Sequence, residues 1–326
     1  MFYPLGTTAL ALAMVSLLPA INSQRTSICF SVTSSSSSAP STRRPAVILP
    51  GLGNNTGDYE GLVTTLKEGY NVPCVVAQVS RFDWLRNAAG LVDPNYWKGA
   101  LQPSPVLDWY LKRVEKAISD AKLLCTDENK GISLIGHSAG GWLARVYMHK
   151  FGFSDISLLL TLGCPHLPPP KGVQGVIDQT RGLLDYVATN CPPAVYTPDL
   201  RYVCIAGRYI QGARLTGGSN SPPDEHTSGD LNSDGDHSLP SNGNSKYVPA
   251  GPTFQARFVG QGYKQVCGKA DVWGDGVVPE MAAHLEGALN MSLEGVYHSP
   301  VGSDDHTRPW FGSPSVVDKW AHHLLN

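Results

Sequence analysis

The sequence carries little charge. Asp, Glu, Lys and Arg account for 16% of the 326 residues, and 25 basic side chains against 27 acidic ones leave a net charge of −2. A protein that binds nucleic acid normally offers the phosphate backbone an excess of basic side chains. Because that excess is absent, and no RNA- or DNA-binding motif is present, we exclude this class. Hydrophobic residues reach 42%, a fraction typical of a folded domain and too high for a chain that is disordered throughout.

Paired cysteines are also missing. None of the seven cysteines forms a Cys-X-X-Cys pair, so neither a zinc site nor a dithiol redox motif is indicated. Six cysteines would remain if an N-terminal segment containing Cys29 were removed, and an even number fits disulfides and free thiols equally well. The cysteines therefore do not indicate the compartment.

Acidic residues are absent before Asp58. The same region contains three arginines, and residues 34–38 are all serine. This composition is typical of a plastid or mitochondrial transit peptide. We therefore predict that residues 1–44 are a disordered transit peptide and that the mature protein lies in the plastid (chloroplast).

The alternative for this N-terminal segment is a signal for the secretory pathway. Residues 9–18 form an apolar run of suitable length, but no Lys or Arg precedes the run and no Ala-X-Ala cleavage site follows it. Pro19 ends the run, which is shorter than the about 20 apolar residues that a membrane-spanning helix requires. No other segment approaches that length, so we predict a soluble or peripheral protein.

From residue 45 onward, short apolar runs alternate with helical patterns. Residues 107–121 show the clearest helix, because apolar side chains recur there at spacings of four and three residues with charged side chains between them. Strands that are apolar on both faces and separated by helices are typical of a doubly wound, mostly parallel sheet. We predict one α/β domain over residues 45–326. The predicted strands are 46–49, 72–79, 132–135, 156–162, 202–206 and 289–296, and the predicted helices begin near 59, 107, 143 and 316.

Two segments interrupt this alternation. Residues 165–193 include three consecutive prolines and an apolar stretch at 173–187, and we predict that they form a cap on the sheet domain. Residues 216–252 are rich in Ser, Gly, Asn, Pro and Asp and contain almost no large apolar side chain. Such a segment can bury too little surface to order itself, so we predict a disordered insertion.

A Gly-X-Ser-X-Gly motif occupies residues 136–140, with Ser138 at its centre. The motif directly follows the predicted strand 132–135 and precedes a helical pattern, which is the strand-turn-helix setting of a nucleophilic serine. The glycines allow a tight turn that brings the Ser138 hydroxyl to the carboxyl edge of the sheet. The backbone N–H of Ala139, at the start of the helix, would point to a developing oxyanion. We predict that Ser138 is the nucleophile.

A serine is a poor nucleophile at neutral pH unless a base accepts its proton and a carboxylate orients that base. After a turn of this type the order along the chain is serine, acid, histidine. The predicted acid is Asp275, because the glycines on both sides of it form a sharp loop that can turn the carboxylate inward. Asp271 has no such setting, and the acids within 216–252 lie in the predicted disordered insertion.

Five histidines follow Asp275. We predict His298 as the base, because it stands where the predicted strand 289–296 gives way to a loop. His306, in a polar loop, is the alternative. The remaining three, which we assign to helices, are His284, His322 and His323.

Two earlier histidines also lie near the predicted site. His137 is inside the serine turn and cannot easily reach round to Ser138, so we predict a packing or supporting role for it. His166 follows a strand and could line the pocket, but it precedes the acid along the chain.

The loop that follows the first predicted strand has the sequence Pro-Gly-Leu-Gly at residues 50–53. Its position is that of a second oxyanion donor, and we predict that the backbone N–H of Leu52 takes this role together with that of Ala139. A glycine-rich loop after a strand could instead bind phosphate. Neither the Gly-X-Gly-X-X-Gly motif nor the Walker motif is complete, so nucleotide binding is not predicted.

Four segments together resemble the α/β-hydrolase superfamily. They are residues 50–53, 136–141, 162–166 and 274–279. Within the superfamily the chain is similar to lipase-like and GPI inositol-deacylase-like members, particularly plant plastid-type relatives, over residues 45–326. The resemblance implies an eight-stranded, mostly parallel sheet, a triad of Ser138, Asp275 and His298, and acyl-ester substrates. Cys164 departs from the pattern, since such lipases more often have Thr there.

We therefore predict a serine esterase or lipase of lipid metabolism that cleaves lipid-like acyl esters and needs no metal or organic cofactor. Two alternatives share the fold: an acyltransferase that uses the same triad, and a non-catalytic hydrolase-fold binding protein. The expected partner is a small-molecule or lipid ester, with peripheral membrane contact through the apolar cap stretch.

Overall fold

A computed structural model describes residues 43–126, 131–215 and 252–325. Residues 1–42 of the predicted transit peptide and 216–251 of the predicted insertion lie outside the described residues.

The described chain is built around one parallel sheet. Six strands in the order β2-β1-β3-β4-β5-β8 form this sheet, and β6 and β7 form a separate antiparallel pair. The strands are β1 (Ala46–Leu49), β2 (Cys74–Val76), β3 (Ile132–His137), β4 (Ile156–Leu162), β5 (Arg201–Arg208), β6 (Ile210–Gln211), β7 (Trp273–Gly274) and β8 (Leu289–Glu294). The predicted α/β-hydrolase fold with a mostly parallel sheet is confirmed, although the described residues place six strands in this sheet where the resemblance implied eight.

Helices connect the strands. They are α1 (Glu60–Thr64), α2 (Pro94–Lys98), α3 (Asp108–Lys122), α4 (Ala139–Phe151), α5 (Leu183–Asn190), α6 (Phe254–Cys267), α7 (Glu280–Ala283) and α8 (Pro314–Trp320). Three 3-10 segments lie at Thr56–Tyr59, Arg81–Val92 and Ala321–Leu324, and one π turn at Thr65–Gly69.

Strand β2 is shorter than predicted. Residues 72–79 are rich in β-branched side chains, but only Cys74–Val76 pair with β1. Because β2 is the edge strand and β1 has only four residues, the neighbouring strand offers no longer ladder. The length of β2 is therefore set by its pairing with β1, although its composition favours a longer strand.

The two faces of the sheet carry separate apolar cores. In β1, Val47 and Leu49 face the cluster that includes α3 and α4, whereas Ala46 and Ile48 face the cluster that includes α8. All four side chains are fully buried. This alternation explains why the strands are apolar throughout, and it confirms the doubly wound arrangement.

The sheet has a switch point between β1 and β3. These neighbours are paired so that Leu49 lies opposite Gly136, but the chain leaves β1 towards β2 and leaves β3 towards β4, on opposite sides. The loops after the carboxyl ends of two such strands open a crevice, which is the usual ligand position in a doubly wound sheet. The loops that follow are residues 50–55 and the turn at Ser138.

Residues 165–193, the predicted cap, contain α5 and otherwise irregular backbone. The segment is anchored by hydrogen bonds from Leu101 N–H to the Arg181 carbonyl, at 2.8 Å, and from Ile177 N–H to Gln265 Oε1, at 2.8 Å. Its role as a cap stays a prediction. Within the described ranges, none of the helices combines the length and apolar character needed to cross a bilayer.

Candidate active site

Ser138 sits in a strained turn between β3 and α4. Its backbone has φ 52° and ψ −126°, a conformation that side-chain-bearing residues rarely adopt and that is often found at functional sites. The turn also brings backbones into very close approach, since a Cβ at Gly140 would lie 2.2 Å from the Leu49 carbonyl oxygen. Glycine at that position therefore lets β1, β3 and α4 meet beneath the Ser138 side chain, which is partly exposed.

His298 lies between Ser138 and Asp275. Its Nε2 atom is 3.0 Å from Ser138 Oγ, and its Nδ1 atom is 2.7 Å from Asp275 Oδ2. The His298 backbone N–H also donates to the Asp275 carbonyl, at 3.0 Å. The side chains of His298 and Asp275 are 8% and 1% exposed, so water competes little for these bonds. The structure thus brings together the three side chains that the sequence predicts.

Local hydrogen bonds hold the Asp275 carboxylate in place. Its Oδ1 atom accepts from the backbone N–H groups of Val277, at 2.9 Å, and Val278, at 2.7 Å. The Gly276 N–H donates to the hydroxyl of Tyr263, at 2.8 Å, which fixes the loop from the side of α6. One carboxylate oxygen is therefore occupied by the loop, and the other is left for His298.

The other histidines occupy different surroundings. His306 is exposed, and its backbone N–H donates to Asp304 Oδ1 in a surface turn, at 2.9 Å. His166 is fully buried, with its Nε2 3.1 Å from Thr161 Oγ1, and burial lowers its pKa to about 3. The helix predicted around His284 is wrong at that residue, because α7 ends at Ala283 where the backbone becomes extended. Of the candidates for the base, only His298 is hydrogen-bonded to Ser138 in the described structure.

The loop after β1 lies against Ser138. A Cβ at Gly51 would be only 2.7 Å from Ser138 Cβ, and the Tyr110 hydroxyl anchors the loop by donating to the Pro50 carbonyl, at 2.8 Å. Neither the N–H of Leu52 nor that of Ala139 has a hydrogen-bond acceptor among the described residues. Leu52 directly follows Gly51, the residue that packs against Ser138, and Ala139 directly follows Ser138 along the chain.

Two residues outside the triad, Tyr59 and His137, lie beside the site, and the sequence predicts only His137 there. Tyr59 Oη lies 2.8 Å from His137 Nδ1, and His137 Nε2 lies 2.9 Å from the carbonyl oxygen of His298. Burial lowers the pKa of His137 to about 3, so the ring is neutral at physiological pH. The supporting role predicted for His137 agrees with these contacts. No pattern around Tyr59 could have indicated its position, because the contact joins residues from different elements.

No group of His, Cys, Asp and Glu side chains suited to hold a metal ion occurs in the part of the chain that the structure describes.

Comparison with known proteins finds one family model that matches part of the chain and several similar solved structures. Residues 93–190 match the model of the PGAP1-like alpha/beta domain. Lipase BlEst2 of Bacillus licheniformis, in its mature form, is 14% identical over 87% of this chain and 93% of that chain, with a TM-score of 0.44. A lipase-esterase related protein of Clostridium acetobutylicum is 13% identical over 50% and 74%, with a TM-score of 0.26. The RedJ thioesterase of Streptomyces coelicolor is 16% identical over 54% and 78%, with a TM-score of 0.28. Comparison with curated proteins finds no match.

The parallel sheet and the strand-turn-helix setting of Ser138 are those of the α/β-hydrolase fold. The superfamily resemblance of the sequence is thereby confirmed. The stretch that contains β3, Ser138 and α4 lies within the segment that is similar to the PGAP1-like alpha/beta domain. Its plastid-type affiliation stays a prediction.

Proposed function

We propose that this protein is a serine hydrolase that cleaves carboxylic esters through an acyl-enzyme formed on Ser138. The observation that carries the proposal is the continuous series of hydrogen bonds from Ser138 Oγ through His298 to Asp275. This series ends at a partly exposed serine in the turn after β3, at the switch point of the sheet. A nucleophile, a base and an orienting carboxylate in this order are the components of acyl transfer.

In the first step, Ser138 Oγ attacks the ester carbonyl carbon and His298 Nε2 accepts the serine proton. The Nδ1–H of His298 donates to Asp275 Oδ2, which keeps the unprotonated Nε2 towards Ser138. As the imidazolium forms, the adjacent carboxylate stabilises its charge. The oxygens of Asp275 accept hydrogen bonds from His298 and from two backbone N–H groups, so the carboxylate keeps its orientation during the step.

The tetrahedral intermediate carries its negative charge on the former carbonyl oxygen. We assign the stabilisation of this oxyanion to the N–H groups of Leu52 and Ala139, of which the second also has the positive end of α4 behind it. Donation of the proton from His298 to the leaving alcohol then completes the acyl-enzyme. Water, activated by the same His298, releases the carboxylic acid and restores Ser138.

Lipid-like acyl esters are the proposed substrates. The segment 165–193 begins just after β4 at the same edge of the sheet, and a Cβ at Gly163 would touch Asp275 Oδ2 at 2.6 Å. The segment exposes large apolar side chains, namely Leu167, Val173 and Ile177, which are 49%, 36% and 45% exposed. Exposed apolar surface next to a site can cover an acyl chain or contact a membrane surface.

A fluorophosphonate probe and an ester panel test this proposal. The wild-type protein should be labelled on Ser138 and should hydrolyse acyl esters, whereas Ser138→Ala should lose labelling and at least about 10³-fold in kcat/KM. Ser315→Ala, which removes an exposed hydroxyl on α8, is the matched control and should behave as wild type. Labelling or turnover that survives Ser138→Ala would refute the assignment. Transfer of the acyl group to added alcohols in preference to water would point to an acyltransferase.

A further inference from the structure

A chain of hydrogen bonds links the loop after β1 to the backbone of His298. Gly51 N–H donates to Tyr59 Oη at 2.9 Å, Tyr59 Oη lies 2.8 Å from His137 Nδ1, and His137 Nε2 lies 2.9 Å from the His298 carbonyl oxygen. We call this chain of four residues the relay. Both inner members of the relay are buried, since Tyr59 is 0% exposed and His137 is 1% exposed.

The direction of each hydrogen bond in the relay follows from its ends. The His298 carbonyl can only accept, so the Nε2 atom of His137 must carry the proton. The ring is neutral because it is buried, and a neutral imidazole has a single N–H. Its Nδ1 atom therefore accepts, and the hydroxyl of Tyr59 donates to it. The oxygen of Tyr59 in turn accepts from Gly51, so every donor in the relay is satisfied.

The relay connects the two parts of the site that must be aligned during the reaction. Gly51 directly precedes Leu52, the proposed oxyanion donor, and His298 is the proposed base. These residues lie on loops after different strands, β1 and β8. The His137 ring is also packed against aromatic neighbours, with ring centroids 5.8 Å from Tyr59, 5.6 Å from Trp310 and 5.0 Å from His298. Dense packing holds the His137 ring in one orientation, so the relay fixes the position of the loop after β1 relative to the backbone of His298.

We propose that Tyr59 and His137 are positioning residues for ester hydrolysis, which hold the Leu52 N–H and the His298 imidazole at a fixed separation around Ser138. This inference rests on the proposed function. Neither residue touches the reacting atoms. Because oxyanion donors act through preorganised geometry, a small displacement of the loop lowers the rate of the chemical step more than it lowers substrate affinity.

The main test is Tyr59→Phe, which keeps the ring and removes both hydrogen bonds of the hydroxyl. We expect kcat to fall about 10- to 100-fold with KM within about twofold of wild type. The rate of fluorophosphonate labelling should fall in parallel, because the phosphonyl oxygen occupies the oxyanion position. His137→Gln should recover most of the activity that His137→Leu loses, since a side-chain amide has one donor and one acceptor. A loss of thermal stability in Tyr59→Phe with unchanged kcat would mean a merely structural role.

A double-mutant cycle separates the relay from general packing. Tyr59→Phe and His137→Leu interrupt the same chain, so the double variant should be no slower than the slower single variant. The matched control is Tyr110→Phe, which removes another buried hydroxyl, one that donates to Pro50 on the same loop but is not part of the relay. Its effect should multiply with that of His137→Leu. Independent effects of Tyr59 and His137 would overturn the proposal.

The ring nitrogens of His137 provide a measurement on the wild-type protein, which remains informative if a variant does not fold. Nitrogen-15 chemical shifts should show the neutral tautomer protonated on Nε2 throughout pH 5 to 8. A ring protonated on Nδ1, or one that becomes cationic in this range, would contradict the direction of the relay. A wild-type protein that neither reacts with the probe nor hydrolyses esters would overturn the proposed function itself. An active wild type with an unaffected Tyr59→Phe variant would overturn only the relay.

Discussion

Replacing Asp275 by asparagine should trap His298 in the wrong tautomer. The two carboxylate oxygens have distinct partners: Oδ1 accepts from two backbone N–H groups, and Oδ2 faces His298 Nδ1. An amide has only one oxygen, and this oxygen accepts the hydrogen bonds from the two N–H groups of the loop. The amide nitrogen is then directed at Nδ1, which must accept and lose its proton. His298 then carries its proton on Nε2 and cannot act as the base for Ser138.

The magnitude follows from the alternative orientation of the amide. Turning its nitrogen towards Val277 and Val278 would leave the buried N–H of Val278 without an acceptor, at a cost of about 1 to 3 kcal/mol, whereas the part-buried N–H of Val277 can turn to water. The productive tautomer of His298 is therefore depleted about 5- to 150-fold by this term alone, since about 1.4 kcal/mol corresponds to a factor of ten. Loss of the charge that stabilises the imidazolium adds to this effect. We expect kcat/KM to fall by about 10⁴.

The assay compares Asp275→Asn with Asp275→Ala. The alanine variant leaves the N–H groups of Val277 and Val278 without acceptors, so it should melt at a lower temperature than the asparagine variant. Asn should nevertheless inactivate at least as strongly as Ala, because Ala does not impose the wrong tautomer. An asparagine variant that keeps kcat/KM within tenfold of wild type would refute the reasoning.

Two further predictions concern backbone space and acid stability. Gly163→Ala should reduce kcat at least about tenfold, because the added Cβ would lie 2.6 Å from Asp275 Oδ2. The control is Gly99→Ala, which imposes a similar left-handed strain of about 1 to 2 kcal/mol but places its Cβ more than 4 Å from other atoms, and which should keep full activity. Equal activity in the two variants would contradict this prediction. Burial lowers the pKa of His137 and His166 from 6.5 to about 3, so the unfolded state binds more protons below pH 6.5. The free energy of unfolding, measured by urea titration, should therefore fall by up to about 2.7 kcal/mol per pH unit as the pH drops from 6.5 towards 3. The variant His137→Gln should remove about half of that slope. A slope that His137→Gln leaves unchanged would argue against a buried neutral ring.

Elements with strong local patterns could be predicted closely. Strand β4 has the predicted bounds, residues 156–162, because five of its seven residues are apolar and the run lies between two helices, which favours the interior of the sheet. Helix α3 matches its amphipathic pattern to within one residue at each end. The residues around His284 are different, because leucines at 285 and 289 resemble a helical stripe although they belong to a loop and to β8.

The sequence by itself determined the parts of the site that depend on neighbours along the chain. A strand, a Gly-X-Ser-X-Gly turn and a helix place Ser138 and the Ala139 N–H, since a tight turn constrains only adjacent residues. The glycines on both sides of Asp275 likewise form a tight turn, which constrains the position of that carboxylate through its immediate neighbours.

Only the tertiary structure decided which histidine meets Ser138, and that Tyr59 and His137 join the loop after β1 to His298. The order of strands puts β8 beside β5, and the loop after β8 brings His298 back to the carboxyl edge of the sheet, whereas His306 remains in an exposed surface turn. Hydrogen bonds between distant segments need the packed core to hold donor and acceptor within about 3 Å, and no pattern of neighbouring residues encodes that distance.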